Sequence, residues 1–200
     1  VKIHGKERVE GVTIAKVDEN RKPISETYEF IPCDTLLLSV GLIPENELSK
    51  NADVELSRIT NGAVVDQNRQ TSVDGIFACG NVLHVHDLVD YVSEEAEIAG
   101  KAASDYILDK HGNHINVKIE TDGKIRYTVP QIVTEKKDVT IYFRVSDIFK
   151  NVNINVICGD NIVFSKKKQR VAPGEMESIT LKSEIFDDAQ VLKFELEETV

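Results

Sequence analysis

The hydrophobic and polar positions follow different patterns in the two halves of the chain. In the first half, imperfect alternation predicts strands over 9–17 and 24–31, and a continuous apolar run predicts a strand over 35–40 that is buried on both faces. A further short strand is expected at 62–66. Over 91–108, apolar side chains recur every three or four positions, which predicts one amphipathic helix. The first half is therefore expected to be α/β.

Polar residues mark both ends of this predicted helix. Asp90 or Ser93 offers the side-chain oxygen of an N-cap, and acidic residues in the first turns complement the helix dipole. The sequence His111-Gly112-Asn113 predicts the carboxyl end, because glycine is a common C-terminal stop. The pattern changes here, so two domains are expected, over 1–112 and 113–200.

After residue 112 the pattern is that of an all-β domain. Short runs with a period of two are separated by turn residues, and no helical periodicity intervenes. The predicted strands are 115–120, 124–129, 139–145, 152–158, 161–165, 177–181 and 191–196. Seven such strands predict a β-sandwich of the immunoglobulin or fibronectin type. The chain has no tryptophan, which excludes the Cys-Trp-Cys core of an antibody domain.

Composition narrows the classes of function. The net charge is −10, with a balance of −9 over 1–112, which argues against a nucleic-acid partner because phosphate contacts need clustered cations. No apolar run approaches the roughly 20 residues that a membrane helix needs. The three cysteines are far apart and include no Cys-x-x-Cys pair. This usage predicts a reducing, cytoplasmic compartment and excludes a local redox dithiol.

The most informative segment is TSVDGIFACGN at 71–81. Asp74-Gly75 forms a turn, an apolar strand follows at 76–79, and Gly80-Asn81 ends it. A glycine at the end of a strand lets another molecule approach the backbone, because no Cβ intervenes. The polar residue after it is expected at the carboxyl end of a buried strand, where open α/β sheets bind ligands.

This segment resembles the second flavin-binding segment of the FAD-dependent pyridine nucleotide-disulfide oxidoreductases, the family of glutathione and thioredoxin reductases. Residues 33–46 resemble the part of these enzymes that leads from the NAD(P)H domain back to the FAD domain, although Glu45 intrudes before Asn46. Residues 62–72 resemble the strand before the flavin segment. The resemblance covers about 1–110 and implies an incomplete Rossmann-like, FAD/NAD(P)-binding portion with an appended sandwich.

The resemblance also implies a cofactor site. The family usually carries aspartate at the position of Asn81, where it accepts a hydrogen bond from the ribityl chain; an amide oxygen can do the same. The amino end of the following helix would face the pyrimidine edge of the flavin. The implied cofactor-binding residues are Gly80, Asn81, Val82, Tyr91, Val92 and Ser93. No residue is assigned a catalytic role.

The positions of the glycines indicate that part of the cofactor site is missing from this chain. No two of the eleven are separated by a single residue, so no Gly-x-Gly-x-x-Gly fingerprint for the ADP half of FAD or for NAD(P)H is present. The chain, which begins at Val1, is therefore expected to be the carboxyl-terminal part of a longer oxidoreductase that passes electrons through flavin, and to be inactive alone. The missing amino-terminal part, or a sister subunit, would complete the site.

Other arrangements remain open. The chain could instead be a non-catalytic module whose sandwich docks a partner or sister subunit, and it could form a homo-oligomer. His84 and His86 would share a face if they lay on a strand, but no third or fourth metal ligand is recognised nearby. No metal site is therefore predicted, and the two histidines are interpreted as a flavin-side loop or as surface residues.

Overall fold

A computed structural model describes residues 1–110 and 112–199 and divides the chain into two compact units, Val1–Gly41 and Leu42–Val200. The boundary inferred between residues 112 and 113 stays a prediction. In the described part of the chain, no helix is both long enough and apolar enough to cross a membrane.

The first unit is a small antiparallel sheet. Its strands are β1 (Lys2–His4), β2 (Gly11–Ile14) and β3 (Glu29–Pro32), in the order β1-β2-β3. The strands predicted at 9–17 and 24–31 are therefore confirmed in shorter form. One turn of 3-10 helix, Ser25–Thr27, occupies the start of the second predicted strand.

The buried strand predicted at 35–40 is wrong. These residues form neither strand nor helix, and Leu37 and Leu38 are 90% and 72% exposed. A parallel strand needs hydrogen-bonding neighbours at its edges and helices on its faces. Neither is supplied to this run by the described residues, so its apolar side chains are left in solvent.

The second unit begins with irregular chain that holds the candidate site. A short helix α1 (Glu47–Asn51) is followed by extended segments joined only by isolated bridges, including Val65 with Thr71 and Gln70 with Phe77. The strands predicted at 62–66 and 76–79 are thus reduced to bridges. Ala63 and Val65 form a small core with Val54, Leu83 and the later residue Val129.

The amphipathic helix is confirmed as α2 (Val89–Ile107). Its N-cap is Leu88, which makes no side-chain cap, so the caps predicted at Asp90 and Ser93 are wrong. The helix begins earlier than the sequence pattern indicates, and both residues lie inside it. Its end at Ile107 precedes the predicted stop, of which His111 lies outside the described residues.

Two sheets follow and pack face to face. One has the order β10-β7-β5 and the other the order β6-β4-β11-β8-β9, in which β11 runs parallel to β4. The strands are β4 (His114–Thr121), β5 (Ile125–Val129), β6 (Ile132–Glu135), β7 (Val139–Val145), β8 (Phe149–Cys158), β9 (Asn161–Val171), β10 (Glu177–Leu181) and β11 (Val191–Glu198). All seven predicted strands are confirmed. The short β6 was not foreseen, because four residues are too few to show an alternation.

The main core lies between these two sheets. Phe143 of β7 and Phe194 of β11 are fully buried and meet edge to face, with ring centroids 6.0 Å apart. Val117, Ile154 and Leu181 extend the same cluster. Because each sheet covers the apolar face of the other, this part of the chain is expected to be the most stable.

The first prediction concerns this core. We expect Phe194→Ala to lower the free energy of unfolding by about 3–5 kcal/mol, because it removes a buried ring and leaves a cavity. Urea denaturation measures the change. The control Ile162→Ala alters a side chain that is 59% exposed and should shift the free energy by less than about 0.5 kcal/mol. Equal effects of the two substitutions would contradict the core described above.

Candidate functional site

The candidate site begins at a tight turn. Gly80–Val82 form one turn of 3-10 helix, and Gly80 has a φ of +71°, which favours glycine. A Cβ on Gly80 would lie 3.3 Å from Cγ1 of Val92 on α2. The glycine therefore permits both the turn and its close contact with the helix.

Asn46 supports this turn from the other side. It is 4% exposed, and its Nδ2 donates to the carbonyl oxygens of Asn61 (2.9 Å) and Val82 (2.8 Å). Asn46 closes the motif at 41–46 that resembles the domain connection of the oxidoreductases. The motif thus has a local structural role, in which its asparagine fixes the chain just after Gly80-Asn81.

Asn81 itself is exposed at the surface of the turn. Its Oδ1 accepts a hydrogen bond from the backbone N–H of His86 at 3.1 Å, which closes the loop between the two residues. The Oδ1 keeps a second lone pair, and the NH2 group donates to no described residue. The side chain can therefore still donate to, and accept from, a ligand.

The three predicted helix residues lie in the first turns of α2. The Tyr91 ring packs between His86 and Tyr142, with centroid distances of 6.3 and 5.8 Å. Val92 contacts Gly80, and Ser93 Oγ donates to the carbonyl of Val89 at 3.2 Å. The structure thus brings the turn and the start of α2 together. That the six residues bind a cofactor stays a prediction.

Behind the turn lies a fully buried carboxylate, Glu95 of α2. Its Oε1 accepts from Arg69 Nε (3.1 Å) and His84 Nε2 (3.0 Å). Its Oε2 accepts from the Gly80 backbone N–H (3.0 Å) and His86 Nε2 (2.9 Å). Glu95 therefore joins α2 to the Gly80 turn, to the loop after it and to the segment before it.

The electrostatics of this cluster follow from its burial. The side chains of Arg69 and Glu95 are 1% and 0% exposed, so they form an ion pair that is shielded from bulk solvent. Burial by itself would raise the pKa of Glu95. The hydrogen bonds from His84 and His86 and the positive charge of Arg69 outweigh this effect and hold the pKa far below its usual range. Glu95 is thus ionised in the folded protein at neutral pH.

The carboxylate also determines the histidine tautomers. A carboxylate only accepts hydrogen bonds, so the Nε2 of each imidazole must carry the proton. Burial lowers the pKa of His84, which is therefore neutral at pH 7. Three buried nitrogens have no hydrogen-bond partner among the described residues, namely Nη2 of Arg69 and Nδ1 of both histidines.

The same cluster contains three side chains that could serve as metal ligands. His84, His86 and Glu95 place donor atoms within 4.8 Å of one another, so Glu95 is the third potential ligand that sequence reasoning missed. Its helical spacing of four from Tyr91 and Ala99 places it on the inner face of α2 and could have revealed it. The carboxylate already accepts four hydrogen bonds, and Arg69 already neutralises its charge. The ligand atoms of these residues are therefore already engaged with one another, which fits a hydrogen-bond and ion-pair network better than a cation site. The alternative of surface histidines is wrong, because both side chains are 1% exposed.

Comparison with known proteins identifies the family. A family model described as "Pyridine nucleotide-disulphide oxidoreductase" matches residues 1–103. The match covers just over half of the chain and includes the turn, the loop and most of α2. The chain belongs to this family, whose members generally bind FAD and NAD(P)H. Neither the curated proteins nor the solved structures include a significant match.

The second prediction tests the buried carboxylate. We expect Glu95→Gln to lower the free energy of unfolding by about 3–5 kcal/mol, because it leaves Arg69 buried without a counter-charge and turns an NH2 group toward two donors. Urea denaturation at pH 7 measures the loss. The control Glu97→Gln removes one carboxylate from an exposed position of the same helix and should change stability little. Similar losses in both variants would show that Glu95 has no special role.

The third prediction concerns pH. Glu95 and His84 both have lower pKa values in the folded chain than their ordinary values of 4.5 and 6.5. An unfolded chain binds protons at these groups more readily, so the stability they contribute is present above those values and is lost as the pH falls. We expect the free energy of unfolding to decline below about pH 6.5, and more steeply below about pH 4.5.

Denaturation at a series of pH values, with Glu95→Gln beside the unchanged protein, checks this dependence. The variant should show a shallower decline on the acid side, and the part that remains comes from other carboxyl groups with lowered pKa values, such as Glu135 and Asp138. A stability that rises as the pH falls from about 6 to about 4 would contradict the assignment.

Proposed function

We propose that this chain forms the ribityl and flavin-ring side of an FAD site in an NAD(P)H-linked oxidoreductase that passes electrons through the flavin to an acceptor. The observation that carries the proposal is the Gly80–Val82 turn, which lies within the family match and is anchored to Glu95 and α2. The residues proposed to contact the cofactor are Gly80, Asn81, Val82, Tyr91, Val92 and Ser93.

The geometry of the turn fits this group. Gly80 is itself buried, but its positive φ turns the chain so that the next residue, Asn81, is exposed with its NH2 group uncommitted. The first turn of α2 has no side-chain cap, so its N–H groups are available to the oxygens of a ligand. Val89 at this end is 75% exposed. A flavin edge could therefore approach the helix from solvent.

FAD, when bound, supplies the electron-transfer chemistry. The part of this chain is to orient it. Asn81 would donate from Nδ2 to a ribityl hydroxyl or phosphate oxygen, and the amino end of α2 would stabilise negative charge at the pyrimidine edge. Glu95 fixes the Gly80 N–H and both histidines behind the turn. These residues therefore position the cofactor, and none transfers electrons itself.

The part of the site that would bind the ADP half of FAD and NAD(P)H is proposed to lie outside this chain. The chain has no Gly-x-Gly-x-x-Gly sequence, so the ADP half of FAD and NAD(P)H would bind to an amino-terminal part of the same protein or to a sister subunit. The sandwich of β4–β11 is proposed to be an appended immunoglobulin-like domain. The three cysteines are free, in keeping with a reducing cytoplasmic setting.

The fourth prediction uses FMN, which carries the ring and ribityl chain without adenosine. We expect FMN to bind the 200-residue chain and its fluorescence to change in a saturable way. Asn81→Ala should raise the dissociation constant about three- to tenfold, because one hydrogen bond to the ribityl chain or phosphate is lost. The control Asn20→Ala removes an exposed amide from a turn in the first unit and should leave the titration unchanged.

ADP provides the complementary measurement, and it should not compete with FMN. The proposal would be overturned if FMN did not bind, or if Asn81→Ala bound it as tightly as the unchanged chain. Competition by ADP would show that the chain carries more of the site than we propose.

A further inference from the structure

We propose that a cleft beside the His84 loop binds a small organic anion, a carboxylate or a phosphate monoester, through Arg126 and Arg144. This site goes beyond the proposed function and does not depend on a bound flavin. The cleft lies entirely within the second unit, between the loop at 84–87, the strands β5 and β7, and the chain at 42–44 and 59–61.

The size and lining of the cleft suit an organic ligand. Its volume is about 500 Å³, within the usual range for small-molecule sites. One wall is apolar and is formed by Leu42, Ile43, Pro44 and Ile59. The polar part of the lining carries the guanidinium groups of Arg126 and Arg144. A ligand with a charged head and a short apolar tail matches both parts of the lining.

The charges of the lining favour an anion. Arg126 is exposed and makes no ion pair or hydrogen bond with any described residue. Asp87 is the one carboxylate among the described lining residues, and it is paired with Arg144 at 3.1 Å. With His84 neutral, one positive charge is left without a counter-charge. The cleft is thus locally positive on a chain whose net charge is −10.

The polar wall is also held in place before any ligand arrives. Arg144 donates to the carbonyls of Val85 and Pro173, each at 3.0 Å, as well as to Asp87. Asp87 in turn accepts from the backbone N–H of Met176 at 3.3 Å. Arg144 is therefore held in one position, with its side chain 14% exposed. The Arg126 side chain has no such contacts and can reorient toward a bound ligand.

Tyr127 adds a neutral donor to the same wall. Its ring packs edge to face on His84, with centroids 5.8 Å apart. Burial raises the pKa of Tyr127, so the hydroxyl stays protonated at neutral pH and places no negative charge near the ligand. Two arginines and one hydroxyl then form a donor set that suits carboxylate and phosphate oxygens.

The test titrates the full 200-residue chain, without flavin, with three probes: inorganic phosphate, acetate and butyrate. Two-dimensional NMR follows the backbone amides of Arg126 and Tyr127 and the His84 ring. We expect saturable shifts at these groups, with dissociation constants on the order of 1 mM. Butyrate should bind more tightly than acetate if its tail meets the apolar wall. Comparison with phosphate distinguishes a carboxylate site from a phosphate site.

Arg126→Gln should raise the dissociation constants about tenfold or more, because it removes the uncommitted charge. The matched control is Arg8→Gln, which removes an exposed arginine from the first unit and should leave binding unchanged. The proposal would be overturned if no saturable shifts were seen, or if Arg126→Gln bound the anions as tightly as the unchanged chain. Equal weakening in Arg126→Gln and Arg8→Gln would also overturn it. If FMN fails to bind but the anions do, only the proposed flavin function is refuted.

Discussion

A carboxylate that has no access to water needs a balancing charge and a hydrogen bond at every lone pair that faces the protein. Glu95 meets this requirement with Arg69, His84, His86 and the backbone N–H of Gly80. The donors come from three separate segments of an irregular region in which the described residues form only isolated bridges. By bonding to all three segments, Glu95 holds them against α2, where no regular sheet joins them.

The two sheets formed by β4–β11 also contact this cluster. Tyr142 of β7 donates from its hydroxyl to Glu94 at 2.9 Å, and its ring centroid lies 5.8 Å from Arg69 Cζ. Gln131 donates from its backbone to Val65, and Thr134 of β6 donates from its hydroxyl to Asp66 at 2.7 Å. The sheets thus cover the buried cluster that the proposed cofactor turn depends on. These contacts give β6 and β7 a structural role beside the family-matched segment.

The residues that match the family and the residues that form the main hydrophobic core lie in different parts of the chain. Residues 1–103 carry the family sequence, yet the described strands among them are short and antiparallel. The apolar run at 35–40 has the pattern of a two-faced internal strand and is exposed here. Its sequence is suited to neighbours that the described residues do not supply. The regular core belongs instead to β4–β11, outside the family match.

The sequence by itself determined the helix, seven of the eight later strands and the order of the family segments, because each depends on local periodicity or on a short motif. It also pointed to Gly80 and Asn81, since a glycine followed by a polar residue at the end of an apolar run is typical of a turn that a ligand can approach. Tertiary structure decided which residues meet Glu95. Arg69 and His84 lie 26 and 11 positions from it. No local pattern links them, and a glutamate in a helix ordinarily faces solvent. The packing of α2 against the turn and the sheets buries Glu95, and a buried carboxylate needs a counter-charge and hydrogen-bond donors.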